Sequence, residues 1–499
     1  MARSVVDPGV AGPLLPLAAL EPARGGASPG GPTPTVRRKP TRTLSGVAVV
    51  AVMTSPAACP HGRCTYCPGG VDHRSPQSYT GEEPSAMRGA QYGYDARRIT
   101  EERLRTLEEL GHPTSKVEVI VQGGTFPARP GPYRETVFRG IFEGLNGTTD
   151  SSLADAQRRN ELASRRCVGL TVETRPDWCD GRILPSLLDS GVTRVEMGVE
   201  CLRDDVLFAI GRAHGTDEVI RATREARDRG LKVCYHLMPG LPGMDPAKDL
   251  EDFARLWSDP DLRPDMLKIY PTLVLPDTEL YRSWTGGDYE PYDAETAADL
   301  IARAKCILPP WVRIQRIQRD IPARLIAAGV RVGNLRQLAL ARLTAMGRRC
   351  PCLRCREVGR RAVPALDSLE LVVREYAAAH GSETFLSYED PASDAVAGFL
   401  RLRFPSDRTD GGLHAPVIRE LKVLGAELAL GGHPDRPVQM QHRGLGRRLV
   451  EEAARRSLER GDDSLYVLSA VGTREYYRRL GFQPSGPWME RSLRRAVGS

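Results

Sequence analysis

No uninterrupted apolar run in this 499-residue chain approaches the roughly 18 residues that a membrane span needs. The longest strand-like run is VAVVAVM at Val47–Met53. Leu14–Leu20 is apolar, but prolines interrupt it and no clear basic stretch precedes it, so a cytoplasmic protein without a secretory leader is expected. A large excess of one charge is also missing: 70 Lys+Arg face 63 Asp+Glu, a net +7 that is weak support for a polyanionic partner. Internal repeats are absent, and 41% hydrophobic with 27% charged residues excludes a collagen-like, coiled-coil or wholly disordered chain. The length suits roughly two to four domains with cores that need no disulfides. Eleven cysteines cannot all pair, and six fall into two tight clusters, Cys59, Cys64, Cys67 and Cys350, Cys352, Cys355. In a reducing compartment such clusters bind metal more often than they form disulfides.

Residues 1–45 read as a flexible arm rich in Gly and Pro that turns basic at Arg37, Arg38, Lys39 and Arg42. From 46 to 312, short apolar runs alternate with helical stretches, the pattern of parallel βα units. Six strands are expected: Val47–Met53, Val117–Gln122, Val168–Glu173, Val192–Glu196, Lys232–His236 and Met266–Ile269. Periodicity alone leaves a partial barrel and a doubly wound sheet both open. Residues 313–364 form an arginine-rich linker region, with 13 arginines between 313 and 361 against only Asp320 and Glu357. Such unopposed charge calls for an anion, and Arg348 and Arg349 are candidate contacts. Residues 365–499 have alternating strands and then a helix at Gly446–Leu458, a small α+β domain.

The first cluster, CPHGRCTYC, follows the first strand. Its spacing alone serves iron–sulfur and zinc equally, His61 being a candidate fourth zinc ligand. Glycines at Gly123-Gly124-Thr125 end the second strand, where close backbone approach is allowed. Glu173, Arg175, Glu196, His236, Lys268 and Tyr270 all sit at strand ends, where a barrel collects its ligands. In the last domain, Gln441, Arg443, Gly444, Gly446, Arg447 and Arg448 lead into a helix whose free N–H groups suit a pyrophosphate.

Taken in order, GGTFPA, GLTVETRPDWC, TRVEMGVE, YHLMPGLPG, LKIYPTLV, QRIQRDIP, NLRQLALARL, CLRCREVG, QHRGLGRRLV and VGTREYYRRLGF resemble the Elp3 family, Elongator catalytic subunit-like proteins of the bacterial single-chain type. The resemblance implies an α/β fold: a partial (β/α)6 radical S-adenosylmethionine (SAM) barrel, joined through a zinc-binding linker to an α+β GNAT acetyltransferase domain. It implies that Cys59, Cys64 and Cys67 ligate a [4Fe–4S] cluster, with SAM on the open iron. Gly123, Gly124 and Thr125 would receive the SAM amino group, and Glu173 and Arg175 its carboxylate or ribose. Lys268 and Tyr270 become candidate catalytic residues. The family's usual Gly-Thr after that strand is replaced here by Pro276-Asp277-Thr278. Cys350, Cys352 and Cys355 would hold a structural Zn2+; a fourth ligand is not obvious from the sequence, and Cys306 is the nearest unused cysteine upstream. Gln441, Arg443, Gly444, Gly446 and Arg447 would bind acetyl-CoA, with Tyr476 or Tyr477 near its thioester. The implied activity is carboxymethylation of wobble uridine 34 in the anticodon stem-loop of tRNA. Two other readings are a protein lysine N-acetyltransferase with a regulatory barrel and a non-catalytic RNA-binding scaffold. Neither an electron donor nor an oligomeric state is legible in the sequence.

Overall fold

The computed structural model describes residues 42–494 apart from 407–409, 427, 429–431 and 435–437, so most of the expected basic arm lies outside the described residues. Seven parallel strands form the first sheet: β1 (Ala48–Met53), β2 (Lys116–Gln122), β3 (Arg166–Thr174), β4 (Arg194–Glu200), β5 (Lys232–Leu237), β6 (Met266–Ile269) and β7 (Arg313–Ile317). They pair strictly in chain order, β1 to β7. A doubly wound sheet reverses its order at a switch point. This one never does, which makes it an open, barrel-type sheet with β1 and β7 as its edges.

Within β2 the side chains alternate. Val117, Val119 and Val121 are fully buried under the helices, while Lys116, Glu118 and Ile120 on the other face are only partly buried. The helices Ala96–Glu109 and Gly131–Asn146 cover the outer face; a Cβ on Gly144 would lie 2.8 Å from Arg97 O and Thr100 Cβ. β7 is a seventh strand beyond the six expected from the sequence. Its sequence, RIQRI, hides it, because charged and polar residues interrupt the apolar pattern.

The second sheet comprises β8 (Glu370–Ala378), β9 (Gly381–Asp390), β10 (Ala395–Phe404), β11 (Val417–Val423), β12 (Ser464–Val467), β13 (Gln483–Ser485) and β14 (Trp488–Ser492). Its order is β13-β14-β12-β11-β10-β9-β8, antiparallel throughout except for β11 with β12. The helix expected at Gly446–Leu458 spans Leu445–Glu459 and packs its Leu449, Val450 and Ala453 onto this sheet. A second helix, Arg474–Arg478, has only 5 residues before the chain turns back into β13.

The two sheets meet across buried charge. Arg419 of β11 donates to Asp265, ahead of β6, at 2.7 and 2.8 Å and to Glu383 of β9 at 2.8 Å. Arg403 donates to Asp228 at 2.7 Å, Arg227 to Glu383 at 3.0 Å and Arg401 to Glu420 at 2.9 Å. Four guanidiniums thus meet the carboxylates of Asp228, Asp265 and Glu383 at the seam, Arg401 standing 3.6 Å from Asp265 while its partner Glu420 belongs to its own sheet. Burial opposes ionisation of Asp265, but Arg227, Arg419 and Arg401 outweigh it and hold the carboxyl far below its usual range. Backbone approaches just as closely: a Cβ on Gly472 would lie 2.5 Å from Arg166 Cβ at the start of β3.

Candidate functional site

Parallel strands place their carboxyl ends on one side of the sheet, and there the expected residues converge. Gly123 and Gly124 leave β2 with φ of 128° and 85°. A Cβ on Gly123 would stand 2.2 Å from Thr54 Oγ1, and one on Gly124 would stand 3.5 Å from Cys59 Sγ. The positive φ at both positions favours glycine, and at Gly123 a side chain would also run into Thr54. Thr125 brings its hydroxyl to 3.5 Å from Cys59 Sγ.

Cys59 is half-buried, while Cys64 and Cys67 are buried. The three sulfurs are not all within 4.8 Å of one another, whereas those of Cys350, Cys352 and Cys355 are. A single zinc, with bonds of about 2.3 Å, keeps its sulfurs within about 4.6 Å. The wider trio therefore suits a polynuclear cluster in which each thiolate takes its own iron. His61, the candidate zinc ligand, points Nε2 at Cys64 Sγ from 3.2 Å. Its burial, together with Arg175 and Arg212, pulls the ring down to about 4, so it is neutral at pH 7.

A solvent-open cleft runs from Cys59 and Gly124 past Glu173 and Arg175 to Glu196, His236 and Tyr270. Glu196, fully buried, lines the cleft and is ion-paired with the buried Lys268, which does not itself line it. His236 Nε2 lies 3.2 Å from the same carboxylate, and Arg194 approaches it at 3.3 Å. Burial would push the Glu196 carboxyl up; Lys268, His236 and Arg194 outweigh this and hold it well below the carboxylate range. Burial works against the Lys268 charge as well, yet Glu196, Tyr270 and Glu173 keep the ammonium protonated. Tyr270 stands edge-on to His236 with centroids 5.5 Å apart, and its hydroxyl is pushed up by burial.

Glu173 accepts hydrogen bonds from Tyr79 Oη at 3.0 Å and Gln122 Nε2 at 3.3 Å. Arg175 is paired with Asp177 at 2.8 and 3.0 Å, which leaves its buried Nη1 without a protein partner. The glycine cradle and this unpartnered Nη1 beside the cleft both fit a ligand with a carboxylate and an amino group. Asp277, in the loop after β6, takes a left-handed φ of 63° before Thr278 caps the helix Glu279–Thr285.

The second trio is compact and largely buried, a donor set that fits zinc. Cys306 does not join it. It ends the helix Ala294–Cys306 on the solvent side, and the preceding turn position instead carries the buried Lys305 Nζ to 3.2 Å from Cys350 Sγ. Residues 305 and 306 lie about 100° apart around a helix of 3.6 residues per turn, so only one can face inward. Sequence reasoning missed Lys305 because a lysine between apolar helix positions reads as a surface residue.

In the second domain, β11 and β12 pair only at Val417–Tyr466 and Ile418–Val467, and β11 then runs on unpaired on that side. Beside it the helix Leu445–Glu459 starts at Gly444, in the left-handed region at φ 81°. A Cβ on Gly446 would lie 2.7 Å from the Tyr476 hydroxyl, so the glycine turn and Tyr476 meet at the helix N-terminus. Tyr476 is 39% exposed, so a ligand can reach its hydroxyl. Tyr477 is not in this site. It is buried in the domain core, 5.6 Å from the Phe482 ring, as alternate faces of a short helix require.

Gln441 also departs from expectation. Its Oε1 accepts from Lys116 Nζ at 2.7 Å and Leu428 N at 3.2 Å, which ties β2 to the second domain instead of opening toward a ligand. Arg443 donates to Gln439 O at 2.8 Å, and Arg448 lies over the Tyr388 ring at 4.9 Å. Arg348 and Arg349 are exposed.

Among the described residues, no helix is long and apolar enough to cross a membrane. Residues 53–256 match the Radical SAM superfamily model and residues 264–345 the Radical_SAM C-terminal domain. The chain is 45% identical over 471 residues to a tRNA uridine(34) acetyltransferase of Methanocaldococcus jannaschii, covering 92% of this chain and 87% of that one. It is 43% identical to Elongator complex protein 3 of Homo sapiens, covering 92% and 87% of the two chains. A solved structure of Methanocaldococcus infernus Elp3, lacking its N-terminus, superposes with a TM-score of 0.80 at 39% identity, over 90% of this chain and all of that one. With this agreement in sequence and fold across nine-tenths of its length, the chain belongs to the Elp3 family.

Proposed function

We propose that this protein modifies tRNA at wobble uridine 34, adding to carbon 5 a carboxymethyl group that originates in acetyl-CoA. The family's radical SAM domain implies a [4Fe–4S] cluster and SAM, and the curated relatives are transferases named for uridine 34 of tRNA. On this reading residues 46–312 carry the radical site, 313–364 the zinc-held, arginine-rich link and 365–499 the acetyl-CoA site. The anticodon stem-loop is the RNA element presented, and the cytoplasm is where it is met. The observation that carries the proposal is the cleft itself: Cys59, Gly124, Arg175 and Glu196 line it together, and Glu196 is paired with the buried Lys268.

A cluster held by Cys59, Cys64 and Cys67 would supply the electron that reductively cleaves the SAM sulfonium. The protein's own part is positioning. Gly123 and Gly124 admit the amino end of the cofactor against backbone, and Arg175 Nη1 and Glu173 meet its carboxylate and hydroxyl groups. Lys268, protonated and paired, serves as a fixed positive charge and hydrogen-bond donor, not as a base. Tyr270, kept neutral by burial, is a second donor and lines the cleft. In the second domain the N–H groups that start the helix Leu445–Glu459 hold a pyrophosphate, and Tyr476 stands where the thioester ends. An uracil must leave its stack to reach a cleft of this kind, which costs least in a single-stranded loop.

The test is anaerobic reconstitution with SAM, reductant, acetyl-CoA and bulk tRNA, followed by mass spectrometry of the nucleosides. The expected product is 5-carboxymethyluridine. Unmodified tRNA alongside acetylated protein lysines overturns the proposal, as does protein that holds no iron and leaves SAM intact.

A further inference from the structure

Every sulfur on the Cys59–Cys67 loop meets a hydrogen-bonding group from outside the cysteine set. His61 Nε2 is 3.2 Å from Cys64 Sγ, and Arg212 Nη1 reaches the same sulfur at 3.8 Å. Gln77 Nε2 donates to Cys67 Sγ at 3.2 Å, with the Ser78 hydroxyl at 3.5 Å. Cys59 has the Thr125 hydroxyl at 3.5 Å. A ligating thiolate is only an acceptor, so once the sulfurs hold a metal each of these groups acts as donor.

Two of the donors are built for this place. The gap between Cys59 and Cys64 holds four residues, one more than the Cys-x3-Cys spacing of radical SAM proteins in general. The extra residue makes a turn: Gly62 takes φ 92° and donates its N–H to Cys59 O at 3.0 Å, which sends the His61 ring back onto Cys64. Arg212 comes from the chain after β4 and is nearly buried. Glu200 at 3.5 Å and the Gly198 carbonyl hold its other nitrogen, so the aim of Nη1 is set by the sheet and not by the loop.

We propose that His61 and Arg212 are positioning residues that act through Cys64 to set the reduction potential of the cluster, making it less negative than the three thiolates alone would. The reduced cluster carries one more negative charge, spread over its sulfurs. An N–H bond to a sulfur and a guanidinium beside it stabilise that form more than the oxidised one. The inference rests on the reading of Cys59, Cys64 and Cys67 as the cluster's ligands.

The experiment uses the full chain, reconstituted anaerobically, and measures iron and sulfide per chain and the cluster midpoint by redox titration followed by EPR. His61→Ala is expected to keep its iron and shift the midpoint to more negative potential, and His61→Gln, which retains an N–H donor, to shift it less. Arg212→Lys, which keeps the charge and the pairing with Glu200 but falls short of the sulfur, shifts it in the same direction. Full iron with an unchanged or more positive midpoint in both His61→Ala and Arg212→Lys overturns the proposal. Loss of the cluster from all three variants also overturns it, because a tuning donor is not needed for loading. If His61→Ala alone loses iron, the Arg212→Lys midpoint decides. Cys64→Ala with a full cluster would instead sink the ligand reading beneath the inference, which keeps the two failures apart.

Discussion

Buried beside Glu196 and 3.9 Å from Glu173, the Lys268 ammonium stays charged where burial alone would neutralise it. Lys268→Met takes away one of three groups that hold the buried Glu196 carboxylate and leaves Arg194 and His236 beside it. It is expected to cost roughly 1–3 kcal/mol in urea unfolding. The double variant with Glu196→Gln should recover much of that loss, and additive losses would contradict the pairing.

Asp249 behaves in the opposite sense. Its carboxylate accepts from Gly240 N at 2.9 Å and Tyr292 Oη at 2.8 Å, but burial pushes it up to about 7. Its folded value thus lies above the unfolded value of about 3.9. The folded state binds the extra proton, so the stabilising contribution is complete below about pH 4 and is lost as pH rises through 7. Across that window this group should take an amount on the order of 4 kcal/mol from the unfolding free energy read in urea titrations, and Asp249→Asn should flatten the fall.

At the scale of elements, the start of the helix Leu445–Glu459 matters through what stands over it. Gly446→Ala would drive its methyl into the Tyr476 hydroxyl, 2.7 Å away, and displace the ring from the proposed thioester site. Titration calorimetry with acetyl-CoA should show roughly tenfold weaker binding, equivalent to about 1.4 kcal/mol. Adding Tyr476→Phe removes the clashing oxygen and should restore part of the affinity. If Gly446→Ala binds as tightly as the unsubstituted protein, the ligand does not lie on this helix. The compact second trio acts between elements too. Cys352 caps the short helix Leu353–Arg356, and Leu353 N donates to Val312 O at 2.9 Å just ahead of β7. A metal there would clip the arginine-rich run to the edge of the barrel.

For the whole molecule, the buried seam joins the parallel sheet to the second sheet. Arg419 has two carboxylates on opposite sides of that seam, Asp265 and Glu383, and none of the three is more than 1% exposed. Arg419→Met leaves both acids short of a partner and is expected to destabilise the protein by about 3–5 kcal/mol. Limited proteolysis should then cut between the domains at urea concentrations where the unsubstituted chain stays whole. Equal resistance would show that apolar contacts alone hold the seam.

Strand periodicity located six of the seven barrel strands, and ordered motifs located both cysteine clusters and the glycine turns, because burial patterns and backbone constraints are written in neighbouring residues. β7 was hidden because its RIQRI pattern has no apolar periodicity, and its strand character comes from pairing with β6. The choice between Lys305 and Cys306, or between Tyr476 and Tyr477, turns on which face of a helix points inward, and one residue of rotation reverses it. Gln441 looked like part of a phosphate loop until Lys116, 325 positions earlier, supplied its partner. Sequence alone determined the kinds of chemical group present and the order of the elements, since these depend on local propensity and spacing. Only the tertiary structure decided which groups share a site, because a hydrogen bond or ion pair depends on ångström distances between strands far apart in the chain.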